Sequence, residues 1–210
     1  MPFQKRNAGR RSALLLAALC VLEVSAAERS EAPAMAAQQF AAAAVLAGDN
    51  QRLPFAVVDK VNARVWVFGS DGELRGTAPV LLGLAVGDDS VPGIGERKMS
   101  EIKPGERTTP AGRFVSEPGR NLQGEDIVWI DYDAAISMHR VRATNAAERR
   151  LERLASPSVH DNRISFGCIN VPAAFYDSHI QPALGQARGV VYVLPETRDP
   201  RERFGFLGTP

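Results

Sequence analysis

The chain has 210 residues, of which 45% are hydrophobic, and this composition suits one globular domain with accessory segments. Its 25 basic and 24 acidic residues give a net charge of +1. Residues 1–27 hold four of the basic residues and one acidic residue, so the remainder has 25 − 4 = 21 basic and 24 − 1 = 23 acidic residues, a net of −2. No basic stripe remains there, which argues against a nucleic-acid partner.

Residues 1–27 have the layout of a secretory signal peptide. A basic segment at residues 5–11 precedes an apolar run at residues 13–22, and small residues follow at 25–27. The apolar run is too short to serve as a comfortable bilayer span. We therefore expect an exported protein of the periplasm or cell envelope, without a permanent membrane anchor.

The rest of the chain predicts a mostly β domain. Residues 28–52 are rich in alanine and are interpreted as a linker or a loosely docked helix. β-Branched and aromatic residues dominate from residue 53, which predicts a β-rich α+β domain over residues 53–197 and a tail over 198–210. The predicted strands cover residues 55–59, 63–68, 77–86, 113–115, 126–131, 135–141 and 189–194, and the few short helices cover 145–154 and 172–184.

The long irregular section at residues 87–111 contains Asp88 and Asp89. A metal site would need a cluster of histidine, cysteine or carboxylate ligands at suitable spacing, and no histidine or cysteine lies near these two residues. We interpret them as part of a solvated loop. No metal or organic cofactor is expected.

Cys168 is the residue at which we expect the chemistry to occur. The other cysteine, Cys20, lies in the predicted signal peptide, so the exported chain would hold one thiol in a compartment where structural cysteines usually pair. The alternative interpretation is a buried cysteine that acts as a small apolar residue. Gly167 would let a substrate approach the sulfur, and Pro172 is typical of a helix start. Backbone N–H groups of the intervening turn could stabilise an oxyanion.

Three histidines could supply the base that activates the thiol. His139 ends a predicted strand, where a side chain is held more firmly than in a loop, and it is our preferred base. His160 lies in a polar loop and is the alternative base. His179 lies in the predicted helix after Cys168, on the same face as Phe175, and we expect it to be a packing or surface residue.

The segment Ser165-Phe166-Gly167-Cys168-Ile169-Asn170 resembles the cysteine motif of the YkuD-type L,D-transpeptidase catalytic domains of bacterial cell-wall enzymes. That motif begins with an upstream His. After an intervening segment it continues with Ser or Thr and with a variable residue, which is often His. It ends with Gly, Cys, a hydrophobic residue, and Arg or Asn. Residues 109–114 resemble the family's Thr-Pro-x-Gly-x-Phe segment, and residues 57–68 resemble its opening hairpin. These segments occur in the family's order over residues 53–196. The resemblance implies a YkuD-like mixed β-sandwich.

The resemblance also implies roles for the site residues. Cys168 would be the nucleophile and His139 the general base and acid. Ser165 and Asn170 are candidates for orienting the histidine and the turn, respectively. The remaining expected members of the site are an oxyanion-binding backbone N–H at Gly167 and the substrate-contacting residues Asn170, Phe166 and Arg140.

The sequence departs from the family's pattern at three points. Phe166 stands where His is frequent, Arg140 replaces the Gly that commonly follows the His, and His139 precedes Cys168 by 29 positions, a longer separation than is usual. The charged segment at residues 145–154 accounts for the extra length as an insertion. We interpret its charges as a solvated face, and we hypothesise that it acts as a lid or selects the acceptor.

The activity implied by the resemblance is peptidoglycan cross-linking, with a role in cell-wall biogenesis and cell shape. Cys168 would attack the third residue of a tetrapeptide stem, release the terminal D-Ala, and pass the acyl group to an amine of another stem, which forms a 3–3 cross-link. The alternatives are an L,D-carboxypeptidase, an enzyme that attaches or releases a wall protein, a cysteine peptidase and a non-catalytic peptidoglycan-binding domain.

Overall fold

The computed structural model describes residues 32–208. The predicted signal peptide and Cys20 lie outside the described residues. The chain divides into two units, Met1–Ala36 and Ala37–Pro210. Within residues 32–208, no helix combines the length and the apolar character that a membrane crossing requires.

Strands dominate the described part of the chain, and the helices in it are short, so the mostly β prediction is confirmed. The strands are β1 (Phe55–Asp59), β2 (Arg64–Phe68), β3 (Leu74–Pro79), β4 (Leu82–Gly83), β5 (Gly112–Arg120), β6 (Asp126–Asp131), β7 (Ile136–Arg140), β8 (Arg163–Ser165), β9 (Ile169–Val171) and β10 (Gly189–Leu194). The helices are α1 (residues 32–46), α2 (Arg150–Ala155), α3 (residues 173–184) and α4 (Pro200–Arg203). A π-helical turn, Tyr176–Ile180, interrupts α3.

Eight strands form one mixed sheet in the order β3-β2-β1-β10-β5-β6-β7-β9, and β4 pairs with β8 in a small second sheet. Two neighbouring pairs in the large sheet are parallel, β1 with β10 and β7 with β9. The predicted run at residues 77–86 divides between β3 and β4, and the strand predicted at 113–115 extends to Arg120. The last strand along the chain, β10, lies inside the sheet between β1 and β5.

Both faces of the central strands are buried, and this explains their nearly continuous apolar sequence. On one face, Ala56 and Val58 of β1 pack in a core with Met138 of β7 and Ile169 of β9. Strands from both halves of the large sheet therefore contribute to a single apolar core. On the other face, Phe55 and the alternating residues of the neighbouring strands form a second, largely aromatic cluster.

The second cluster is completed by residues outside the predicted domain limits of 53–197. Helix α1 contributes Ala37, Phe40, Ala41 and Ala44, whose helical spacing places them on one face. The sequence shows no sustained run of large apolar residues there because three of these four side chains are methyl groups. Phe204, which follows α4, is also buried and packs edge-on against Phe40.

Helix α2 is shorter than the helix predicted at residues 145–154. Asn145 does act as a cap, since its side-chain oxygen accepts the N–H of Ala147 at 3.1 Å. The cap begins only a 3₁₀ turn, Ala146–Glu148, because Arg149 has a left-handed φ of 50° that interrupts the helix. The α-helix proper therefore begins at Arg150.

The interpretation of Asp88 as part of a solvated loop is wrong, because this residue is buried. Lys60, at the end of β1, donates to Asp88 Oδ1 at 2.8 Å, and the side chains of both residues are fully buried. Burial raises the pKa of Asp88, but hydrogen bonds from Lys60 and Thr197 outweigh it and hold that pKa well below the ordinary value. Asp89 is exposed and pairs with Arg198, as a loop residue would.

Lys60 joins several segments. Besides Asp88, it donates to the carbonyl oxygen of Thr109 at 3.0 Å and lies 3.4 Å from Glu196 Oε1. Glu196 in turn pairs with Arg163 at the start of β8. The buried ammonium group of Lys60 and the guanidinium of Arg163 thus compensate the two carboxylates, and Lys60 also fixes the segment that contains Thr109.

Replacing Lys60 by methionine tests this contribution. We expect Lys60→Met to lower the free energy of unfolding by roughly 3–5 kcal/mol, because it leaves the Asp88 carboxylate buried without its cation. Urea denaturation measures the change. The matched control is Lys98→Met at an exposed position, which we expect to change stability by less than about 0.5 kcal/mol. Equal unfolding midpoints for the two variants would contradict the assignment.

Candidate active site

The register of two parallel strands gathers polar side chains on one face. Strand β7 lies beside β9 with Met138 opposite Ile169 and His139 opposite Asn170. Because side chains alternate along a strand, Met138 and Ile169 enter the core while His139 and Asn170 point to the other face. Cys168 stands one residue before β9 and lies on the His139 side, with its Sγ 3.6 Å from Ser137 Oγ.

The backbone at Gly167 makes the turn before Cys168 possible. Gly167 has a φ of +132°, and a Cβ atom there would lie 2.5 Å from Ile136 Cδ1 and 2.8 Å from the carbonyl oxygen of Thr108. Only glycine fits this conformation and this space. The hydroxyl of Ser165 accepts the Gly167 N–H at 3.0 Å and donates to the Cys168 carbonyl at 2.6 Å, which closes the turn.

Thr109 connects the turn to the rest of the fold. It is fully buried, and its hydroxyl donates to the carbonyl oxygen of Gly167 at 2.8 Å. The hydroxyl oxygen of Thr109 also accepts the N–H of Gly83 at 2.9 Å. Thr109 belongs to the Thr-Pro-x-Gly-x-Phe segment. This segment is thus hydrogen-bonded directly to the residue before the thiol.

The imidazole of His139 is held by hydrogen bonds at both nitrogens. Its Nδ1 lies 2.8 Å from the carbonyl oxygen of Arg140, so Nδ1–H donates, and Nε2 carries the lone pair when the ring is neutral. The side-chain amide nitrogen of Asn170 lies 3.3 Å from Nε2. Asn170 is itself fixed, because Arg150 donates to its Oδ1 at 2.6 Å.

The pKa values of the thiol and the imidazole shift toward each other. Burial raises the pKa of Cys168, but hydrogen bonding with His139, the charge of His139 and the Ser137 hydroxyl lower it, and the result lies below the ordinary thiol value. Burial lowers the pKa of His139, but hydrogen bonding and charge interaction with Cys168 raise it above its ordinary value. The two directions agree and favour a thiolate–imidazolium pair.

Cys168 and His139 open onto a solvent-accessible cleft of about 370 Å³. Polar and charged side chains predominate in its lining. The lining residues are Met99, His139, Arg142, Thr144, Asn145, Glu148, Arg150, Ser165, Cys168 and Asn170. Three of them, Asn145, Glu148 and Arg150, belong to the charged segment at residues 145–154, so this segment forms one wall of the cleft.

The hydrogen bonds change the role expected of Ser165 and add a second contact to the one expected of Asn170. Ser165 was expected to orient the histidine, but its hydroxyl bonds within the turn, because β8 pairs with β4 and not with β7. Asn170 was expected to orient the turn, and its amide lies against His139 as well as against the Cys168 carbonyl. The N–H of Gly167, expected to hold an oxyanion, is already donated to Ser165.

The substrate contacts expected at Arg140, Phe166 and Asn170 stay predictions, and each of these side chains has a protein partner. Arg140 follows His139 and so points to the opposite face of β7, where it pairs with Asp126 and Asp177. The ring of Phe166 packs beneath the guanidinium of Arg107, 3.8 Å from its Cζ. Asn170 is 1% exposed, and its amide groups are used within the protein.

The other two histidines occupy different surroundings. His160 is exposed in the turn between α2 and β8, and its carbonyl oxygen accepts the N–H of Arg163. His179 stacks on Phe175 with ring centres 4.6 Å apart, which confirms the packing role predicted for it.

Three residues of the site were not identified from the sequence. Ser137 stands two positions before His139, a spacing that places both side chains on one face of β7, and it could have been identified from that spacing. Thr109 was noted only as part of a motif. Arg150 lies in a charged segment that was interpreted as solvated, and nothing local distinguishes it from its neighbours Arg149 and Arg153.

Comparison with known proteins gives matches among solved structures alone: no family model matches the chain, and no curated protein matches it. One similar structure is the helical cell shape determining protein Pgp2 from Campylobacter jejuni, with 15% identity and a TM-score of 0.45 over 70% of this chain and 49% of that chain. Another is an L,D-transpeptidase from Mycobacterium smegmatis, with 14% identity and a TM-score of 0.38 over 67% and 58%.

A third similar structure is the catalytic domain of an Enterococcus faecium L,D-transpeptidase, with 18% identity and a TM-score of 0.37 over 67% of this chain and 96% of that chain. The chain thus spans only about half of the Campylobacter protein and under two thirds of the Mycobacterium protein. At 14–18% identity these similarities say nothing about the activity of this chain.

The thiolate–imidazolium pair predicts a distinctive pH dependence of alkylation. We expect the alkylation of Cys168 by iodoacetamide to reach its half-maximal rate at a pH below the ordinary thiol pKa of about 8.5, because the pKa of Cys168 is lowered. His139→Ala removes the cation and should move this midpoint upward. Mass spectrometry of the peptide that carries Cys168 follows the reaction.

His160→Ala is the matched control for this measurement, since His160 is exposed in a different turn. It should leave the alkylation midpoint unchanged. A midpoint at the ordinary thiol value in the unmodified protein, or an upward shift in His160→Ala instead of His139→Ala, would contradict the pairing.

Proposed function

We propose that the chain is an exported cysteine L,D-transpeptidase that acts on peptidoglycan tetrapeptide stems. The observation that carries the proposal is that Cys168 and His139 lie on the same face of β7 and β9 and line one cleft, where the pKa of the thiol is lowered and that of the imidazole is raised. The link from Thr109 to the Cys168 turn supports it further, because the two sequence segments that resemble this family meet there.

In the first half-reaction, His139 accepts the proton of the Cys168 thiol through Nε2, and Sγ attacks the carbonyl carbon of the third stem residue. The Cys168 N–H is our candidate for stabilising the oxyanion, because the Gly167 N–H already donates to Ser165. The imidazolium then donates its proton to the nitrogen of the terminal D-Ala. The C–N bond breaks, D-Ala leaves, and the acyl group remains as a thioester on Cys168.

In the second half-reaction an amine attacks the thioester. His139 takes a proton from the attacking amine, the C–S bond breaks, and the sulfur leaves as a thiolate that regains its pairing with the imidazolium. An amine of another stem gives a 3–3 cross-link. The carbonyl oxygen of Arg140 holds Nδ1–H throughout, so proton exchange occurs at Nε2.

The segment at residues 145–154 is proposed to influence which acceptor enters. Asn145, Glu148 and Arg150 form one wall of the cleft beside the thiol. An acceptor amine that approaches the thioester would pass this wall. Its acidic member, Glu148, is paired with Arg150.

Product analysis tests the proposal. We expect the purified protein to convert a disaccharide-tetrapeptide into D-Ala and dimeric muropeptides with a 3–3 link, and we expect Cys168→Ala to abolish both products. His139→Ala should lower kcat/KM by about 10²–10⁴-fold, the typical contribution of a general acid–base residue. Liquid chromatography with mass spectrometry identifies the products.

Other outcomes identify the alternatives. Free tripeptide without dimers would indicate an L,D-carboxypeptidase, in which water resolves the thioester. Cleavage within the stem at another bond would indicate a cysteine peptidase. No turnover together with retained binding of peptidoglycan would indicate a binding domain and would exclude the enzymatic proposal. His160→Ala, at an exposed turn, serves as the control and should retain the wild-type rate.

A further inference from the structure

The cleft beside the thiol carries an excess of positive charge. Among the described residues that line it, Arg142 and Arg150 are cationic and Glu148 is the one carboxylate. Glu148 is paired with Arg150, so these two charges compensate each other. Arg142 has no carboxylate partner among the residues that line the cleft.

The two arginines differ in how firmly they are held. The side chain of Arg150 is 15% exposed and is fixed by Glu148 and by the Oδ1 of Asn170. The side chain of Arg142 is 39% exposed. It contacts the amide oxygen of Gln123 at 3.1 Å and lies 3.6 Å from a carboxylate oxygen of Glu125, beyond hydrogen-bonding distance.

The partners of Arg142 leave it able to bind an anion. Exposed ion pairs of this kind contribute little free energy, so a ligand carboxylate can replace them at low cost. A guanidinium also matches a carboxylate in geometry, because it can donate two parallel hydrogen bonds.

Arg142 lies on the His139 side of the cleft. It lines the thiol cleft and also a neighbouring groove of about 290 Å³ formed by Trp129, Leu122 and other residues, and His139 lines both as well. The charge of Arg142 is close enough to lower the pKa of His139, against the stronger effects that raise it. His139 donates its proton to the nitrogen of the leaving group. A substituent next to that nitrogen would therefore lie near the guanidinium of Arg142.

We propose that Arg142 is a specificity-determining residue that binds the free carboxylate of the residue leaving from the donor peptide. This inference rests on the proposed function for the identity of the donor. The amine that accepts the proton from His139 is separated from that carboxylate by a single carbon atom, so the two groups must lie together. A peptide whose last carboxylate is replaced by an amide would lose the interaction.

Two matched alkylating reagents test this inference without requiring turnover. Iodoacetyl-D-alanine carries the carboxylate, and iodoacetyl-D-alaninamide replaces it with a neutral amide of similar shape. The rate of alkylation of Cys168 is measured with each reagent, on the peptide that carries this residue. The ratio of the two rates cancels changes in thiolate fraction, since both reagents attack the same sulfur.

The ratio of the carboxylate-reagent rate to the amide-reagent rate is compared with the same ratio for free glutathione. We expect this ratio to be about tenfold higher for the wild-type protein, because local positive charge raises the rate at which anions encounter the site. The preference should weaken in high salt. Arg142→Gln should return the ratio to the glutathione value, and Arg142→Lys should retain part of the preference. Alkylation by the amide reagent in each variant verifies that the thiol remains accessible and reactive.

Arg120→Gln is the matched control. Arg120 is exposed and lines the neighbouring groove but is not among the residues that line the thiol cleft, so its replacement should leave the ratio unchanged. A wild-type ratio equal to that of glutathione would overturn the inference, as would a preference that survives Arg142→Gln or disappears only in Arg150→Gln.

The result is independent of the test of the proposed function. A preference that depends on Arg142 in a protein that forms no muropeptide products would support the carboxylate site and reject the transpeptidase. Cross-linking without any such preference would support the transpeptidase and reject the role of Arg142.

Discussion

The hydroxyl of Thr109 is the contact on which the geometry of the candidate site depends. It accepts a hydrogen bond from Gly83 in the small sheet and donates one to the carbonyl of Gly167, the residue before the thiol. The carbonyl of Thr109 is in turn bonded by the buried ammonium group of Lys60. A threonine with no exposed surface thus fixes the Cys168 turn, and a buried charge network at the end of β1 fixes the threonine.

The chemistry follows from placing a thiol on this fixed turn next to a strand with a suitable register. Opposite positions of β7 and β9 bring His139 beside Asn170, and the period of two along each strand keeps both on the face of Cys168. Burial alone would keep the thiol protonated, so the reactive form depends on the neighbouring imidazole. The charged segment before β8 adds Arg150, which donates to the side chain of Asn170 beside that imidazole.

The sequence predicted the central strands β1 and β10 well because their apolar and β-branched residues are buried on both faces and leave a strong local pattern. The bounds of β3 and β5 were predicted less well, because these strands are partly exposed and their apolar pattern is weak. The sequence also indicated Cys168 and His139, which have few competitors in the chain. It could not predict contacts between distant segments. Asp88 was interpreted as solvated because its partner Lys60 is 28 positions away, and Ser165 was assigned to the histidine because its actual role depends on which strands pair. Alanines concealed the buried face of α1, since they carry little apolar signal.

Formation of a thioester on Cys168 is tested by the mass of the intact protein, measured after brief mixing with a disaccharide-tetrapeptide and an acid quench. Nucleophilic attack by Cys168 predicts a covalent species heavier by the donor without its terminal alanine, located at Cys168, absent in Cys168→Ala and formed slowly in His139→Ala. Consumption of the donor with no covalent protein species, or an adduct on a residue other than Cys168, would contradict it.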